Sequence, residues 1–310
     1  MKRIPLFLIM LCLLAACTAR TRTCAAPAGG TQVVLASQSA TLALATILVR
    51  GTDVRVTRAV PASYAPRGHA AYFGMHRAEF FELAQSADAV LCTNGVWPGD
   101  PLYAWARRAN IRMVSIDATR PLDRTRAGVP HSVTPDGHIP PVWVAPGNFA
   151  RMADITATDL MRLYPDCADR IGENLRSFKQ ELFRLRSEYE ARLAAAQWFE
   201  VLALTRDFSP LLEEFGVQTV AVMDKPEHRW TDRDVRKLER TLADNHVHVV
   251  VCVWNPRVDI ASAIERAGAR VLVLDSFAVS GEPDARSVLR HYQTNLQRLL
   301  DALSGDPAGQ

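Results

Sequence analysis

The commonest enzyme signatures are missing from this chain. It has no Gly-x-Ser-x-Gly elbow, no phosphate-binding Gly-x-x-x-x-Gly-Lys loop, no dinucleotide fingerprint and no His-Glu-x-x-His pair, so an enzyme is not expected. Cysteine is scarce: six in 310 residues, none in a Cys-x-x-Cys pair, which argues against a disulfide-dense scaffold. Beyond the first residues no apolar run has the length needed to cross a bilayer. The longest, residues 247–254, is strand-sized. Charge of one sign is lacking too. The formal net charge is +3, and no dense basic stripe with interleaved aromatics marks a nucleic-acid partner.

What is present begins with a targeting segment. Lys2 and Arg3 precede an apolar run over residues 4–14 that is too short to span a membrane. Leu14-Ala15-Ala16-Cys17 then reads as a lipobox. Residues 1–17 are therefore expected to be a signal peptide, with Cys17 lipidated and anchoring the mature chain to a bacterial membrane at its periplasmic face. An ordinary secretory peptide is the alternative, and either exports the chain. Residues 18–31 are rich in Ala, Thr, Arg and Gly without apolar periodicity, the composition of a flexible tether. Of the cysteines that remain, Cys92 and Cys252 lie in strand-like runs and read as buried small apolar groups.

Residues 32–147 alternate short apolar strands with helical segments, and residues 197–303 repeat that alternation. Such a pattern predicts parallel sheets with helices on both faces. Between the two lies a different segment. After a helix over 148–163, Asp166 is a good N-cap for a helix running to about 196. Ile171, Leu175, Phe178, Leu182, Leu185, Tyr189 and Leu193 step by four and three, which puts them on one face. The expected fold is α/β: two doubly wound lobes, 32–165 and 197–305, bridged by one long rigid helix over 166–196, with a ligand cleft between the lobes.

The order of several short motifs carries a resemblance. Ile139-Pro140-Pro141-Val142-Trp143-Val144-Ala145-Pro146-Gly147-Asn148 looks like an Asp-Pro-His-x-Trp-x-x-Pro-x-Asn signature, with the Trp, the second Pro and the Asn in register. Val60-Pro61-Ala62, Ala87-Asp88 through Asn94-Gly95, Phe215-Gly216-Val217, Gly268-Ala269-Arg270-Val271 through Leu274-Asp275, and Asn295-Leu296 followed by Leu299 fit the same pattern along most of the chain. Together they resemble the solute-binding proteins of bacterial zinc and manganese ABC importers.

That resemblance implies a divalent transition metal carried between the lobes and handed to ABC permease subunits by a monomer tethered through its lipid. The family's ligands are three His and a carboxylate, or two of each for manganese. Its first His maps onto His69, although an ungapped count from Ala87-Asp88 lands on Tyr72. The second is replaced by Pro141, which has no imidazole to offer, and the third falls at Thr205. The carboxylate is kept as Asp275, for which a bland alternative is an ion pair with Arg257 or Arg270. His138, three residues before Pro141, is the expected substitute ligand, giving His69, His138 and Asp275. His76, His131 and His228 with Asp224 are further loop candidates, and His291 reads as surface. Zinc is favoured over manganese because Asn255 stands near where the family carries a Glu. Two other functions fit the same fold: an accessory or adhesin-like lipoprotein that has lost its ligands, and a binder of a metal chelate, for which Tyr72, Trp97, Trp143, Trp254 and Arg206 are candidates.

Overall fold

The computed structural model describes residues 32–123, 125–134, 137, 139–277 and 283–305. The signal peptide, Cys17, the tether and His138 lie outside the described residues. The first lobe is built on β1 (Val33–Ala36), β2 (Arg55–Arg58), β3 (Ala89–Cys92) and β4 (Val114–Asp117), all parallel in the order β2-β1-β3-β4. Its connections carry α1 (Ser39–Leu48), α2 (His69–Met75), α3 (Arg77–Gln85) and α4 (Leu102–Ala109). Two longer helices follow, α5 (Pro146–Leu163) and α6 (Ala168–Leu193).

The second lobe repeats the plan. Strands β5 (Glu200–Ala203), β6 (Gln218–Val222), β7 (Val249–Cys252) and β8 (Arg270–Val273) are parallel in the order β6-β5-β7-β8. Helices α7 (Ser209–Glu214), α8 (Asp232–Asp244) and α9 (Val258–Arg266) connect them, and α10 (Ala285–Leu303) closes the lobe. β1, β3 and β7 are buried throughout, as strands covered by helices on both faces must be.

The bridging helix is where the apolar stripe places it, with one change at its start. Pro165 opens a 3-10 turn over Pro165–Cys167 that takes in Asp166, so the cap of α6 falls on Cys167 instead. Its 26 residues reach about 39 Å. Ile171, Phe178 and Leu182 enter the first-lobe core, Tyr189 and Leu193 enter the second, and Leu185 borders both. A second element does the same. Val288 and Tyr292 of α10 belong to the first-lobe core, whereas Leu296, Leu299 and Leu303 belong to the second. The helices pack on each other and run in the same sense from lobe to lobe. The 3-10 turn Val142–Val144 is a third tie: Val142 lies in one core, Val144 in the other, and Trp143 touches both. Its Trp143 carbonyl accepts the Tyr292 hydroxyl at 2.5 Å.

The cysteines tell more than their spacing suggested. Cys167, just ahead of α6, is disulfide-bonded, with its partner outside the described residues. Cys92 and Cys252 are free and buried, as expected, and burial raises both thiols to about 12.

One polar contact joins three helices across the lobes. The Glu214 carboxylate, at the end of α7, accepts the Gly147 N–H in the first turn of α5 through both oxygens, at 2.9 and 3.0 Å. It also lies 2.7 Å from Arg186 Nε of α6, a close charge contact off the line of the N–H. Burial raises the Glu214 pKa, and the Gly147 amide and Arg186 oppose that shift. Gly147 is needed for this approach, since a Cβ there would sit 3.0 Å from the carboxylate. Glu214→Ala should cost about 2–3 kcal/mol, less than a fully buried pair because Arg186 is partly open to water. Urea unfolding followed by circular dichroism measures that loss.

Candidate functional site

Open parallel sheets bind ligands beyond the carboxyl ends of their strands, where the strand order reverses. In the first lobe that point lies between β1 and β3. β1 runs out through Ser37 to Gln38, the N-cap of α1. The Gln38 amide nitrogen donates across the gap to Thr93 Oγ1 at 2.8 Å and Asp100 Oδ2 at 3.3 Å. Asp100, buried, also accepts the N–H groups of Thr93 and Leu102. Burial raises its pKa and those bonds pull it back. The carboxylate fixes which end of the Gln38 amide is nitrogen, so the oxygen faces away without a partner.

A cavity of about 380 Å³ opens here between the lobes. Ser37, Gln38, Arg58 and His69 line it from the first lobe, Asp207, Phe208 and Phe277 from the second, and Pro141 and Trp143 from the tie between them. Arg58 ends β2 and is paired in register with Ala36 at the end of β1. His69 opens α2, a short helix the sequence pattern did not predict because Pro66, Arg67 and Gly68 read as loop; these three form a 3-10 turn that leads into it. The His69 ring is 1% exposed and its Nδ1 has no partner. Desolvation lowers its pKa, partly offset by a hydrogen bond to the Tyr64 backbone. Burial thus favours the neutral imidazole, the form that binds a metal.

The two registers for the first His separate cleanly. His69 lines the cleft, whereas Tyr72 packs on Tyr64, Phe73 and His76. Pro141 lines the cleft at the family's second His position. Asp275 follows the end of β8, where its backbone is held by Asn295 and its carboxylate meets Arg298 at 3.1 Å. That partner is neither Arg257, which pairs with Asp259, nor Arg270, which stacks on Trp198. The next residues, Ser276 and Phe277, are the ones that line the cleft.

The remaining candidates fall elsewhere. Thr205, Asp224, His228 and Trp254 line a second cavity of about 600 Å³ at the matching edge of the second lobe, closed on one side by Arg67. Arg206 lies 3.9 Å from Asp224. His131 Nδ1 donates to the Val129 carbonyl at 3.0 Å and lines a groove beside Arg186. His76 meets Glu79 at 3.3 Å. Trp97 stands edge-on to His69, with ring centres 6.3 Å apart. His291, read from sequence as surface, packs against Phe277 and lies 3.5 Å from the Asn295 amide; desolvation lowers its pKa. Among the described residues no three His, Cys, Asp or Glu side chains stand close enough to hold a metal together.

Two parallel lobes facing each other across a cleft, tied by shared helices, are the build of a solute-binding protein. The model of the ZnuA family, zinc-uptake complex component A, periplasmic, matches residues 34–305, and the chain belongs to that family. Its members are substrate-binding proteins, not enzymes. No curated protein sequence matches the chain. Among solved structures, FpvC from Pseudomonas aeruginosa in complex with Mn2+ is 20% identical with a TM-score of 0.68, over 89% of this chain and 98% of that one. Zn(II)-bound AdcA from Streptococcus pneumoniae is 17% identical with a TM-score of 0.68, over 90% of this chain and 59% of that one. A mutant of the laminin-binding adhesin Lmb from Streptococcus agalactiae is 20% identical with a TM-score of 0.63, over 88% and 100%. At this identity the likeness is one of fold. Among the described residues no helix is long and apolar enough to cross a membrane.

The cleft's geometry hangs on Asp100. Asp100→Ala would leave the Thr93 and Leu102 N–H groups without their acceptor and the Gln38 amide with Thr93 alone, at a cost of about 2–3 kcal/mol. A lower urea midpoint with an unchanged slope is the expected result.

Proposed function

We propose that this chain is the capture component of a metal importer, taking a divalent transition metal into the interlobe cleft and passing it to an ABC permease. Zinc is preferred to manganese. The observation that carries this reading is His69: a buried imidazole on a residue that lines the cleft, with an unpartnered ring nitrogen. Membership of a periplasmic zinc-uptake family supports it. So does the disulfide at Cys167, since such bonds persist in oxidising compartments.

His138 and Asp275 are the proposed companions of His69. Asp275 reaches the metal by exchanging Arg298 for it, a modest exchange because that pair is half exposed. His138 lies outside the described residues, on the segment that leads into Pro141. The lipid on Cys17 holds the receptor beside its permease. Release needs only a small lobe displacement, because α6 and α10 are anchored in both cores.

Metal content and melting temperature of the full chain, with zinc, manganese or chelator, test this. A metal that binds only the folded state, present at one hundred times its dissociation constant, adds about 2.7 kcal/mol. The stabilisation should be largest with zinc, vanish with chelator, and be lost in His69→Ala and weakened in Asp275→Ala. A chain that carries no metal and melts at one temperature in every condition is not a metal receptor.

A further inference from the structure

The cleft is built for more than a bare ion. Three of its side-chain atoms are buried and unpartnered: Ser37 Oγ, Gln38 Oε1 and His69 Nδ1, on residues 3%, 4% and 1% exposed. Burying polar atoms without partners is costly, and three of them on residues that line one cavity point to a ligand that supplies the partners. The backbone adds to this. Ser39 and Ala40 line the cleft at the start of α1, where helix N–H groups are unpaired and no acidic side chain stands.

Two charged residues line this cleft, Arg58 on the first lobe and Asp207 on the second, and Arg58 makes no ion pair among the described residues. A dication beside an arginine is repelled unless an anion stands between them. The volume argues the same way. A cavity of about 380 Å³ is of small-molecule size.

Building on the metal reading above, we propose that the metal arrives as a complex with a small carboxylate chelator. His69 takes one coordination position on the metal, and the chelator's carboxylates fill positions for which the cleft offers no imidazole, Pro141 among them. A free carboxylate oxygen pair faces Arg58, the geometry guanidinium favours, with the α1 amides and Ser37 alongside. Gln38 Oε1 accepts a hydrogen bond from a hydroxyl, amine or metal-bound water of the complex.

Equilibrium dialysis of the full chain against radiolabelled zinc, with labelled citrate or labelled histidine as chelator, separates the possibilities. The expected result is one-to-one retention of metal and chelator, with zinc held about tenfold or more tightly when a chelator is present. Arg58→Gln should remove that gain and, by taking away a repelling charge, hold zinc alone no less tightly than the parent chain, while Arg58→Lys should keep part of the gain. Melting curves identify any variant that fails to fold, and for such a variant the wild-type co-retention decides. Zinc retained without chelator, at undiminished affinity and indifferent to Arg58→Gln, overturns the proposal and leaves the metal reading standing. Citrate or histidine retained without metal overturns it as well. Retention of neither label in any arm sinks both readings together.

Discussion

Everything in this molecule depends on two helices being shared by two cores. α6 and α10 each bury large side chains first in one lobe and then in the other. Burying one such side chain is worth about 1.5–3 kcal/mol, and a whole domain is stable by only about 5–15. Pulling either helix out of either core would therefore unfold the protein before it opened the cleft. The lobes are held at a fixed spacing, and the Glu214 contact with Gly147 and Arg186 reinforces it from the side. What remains for movement is adjustment at the mouth: the turn carrying His69 and the strand-end residues Ser276 and Phe277.

Rigidity of this kind makes the inner surface of the cleft a selector. A flexible site would collapse onto Ser37, Gln38 and His69 and pair their loose atoms with one another. Here Asp100 and Thr93 hold the Gln38 amide in place, and β1 and β2 hold Ala36 beside Arg58. The unliganded protein carries that cost, on the order of 1–3 kcal/mol for each unpaired buried group. A ligand that satisfies them recovers it as affinity.

Much of the fold was legible from the residues. The stripe from Ile171 to Leu193 located α6, because a helix that touches apolar surface on one side must repeat near 3.6 residues. Alternation of short apolar strands with helices gave the parallel sheets, and the run ending at Asp275 was found at a strand end. Less legible was what each helix turn meets. The stripe of α10 is continuous, and periodicity alone does not say that Val288 and Tyr292 face a different core from Leu296 and Leu299. His291 looked like a surface residue for the same reason. At the site, the motif register led to His69 and Pro141, which line the cleft, and to Thr205 and Asp275, which do not. It could not identify Arg58 or Ser37 as cleft residues, since neither belongs to a motif; only the pairing of β1 with β2 brings them to one edge. The disulfide at Cys167 was equally hidden, because cysteine spacing along a chain says nothing about distances through the fold.

The shared last helix also sets an order on how the protein can be made. The first-lobe core, around Phe149 and Phe178, includes Phe277, Val288 and Tyr292. Those residues leave the ribosome more than a hundred positions after the lobe they complete. Until they arrive, that core has an open side and the lobe cannot close on its own. Such a delay keeps the part synthesised first pliable until nearly all of the chain has been made, and both lobes then set together.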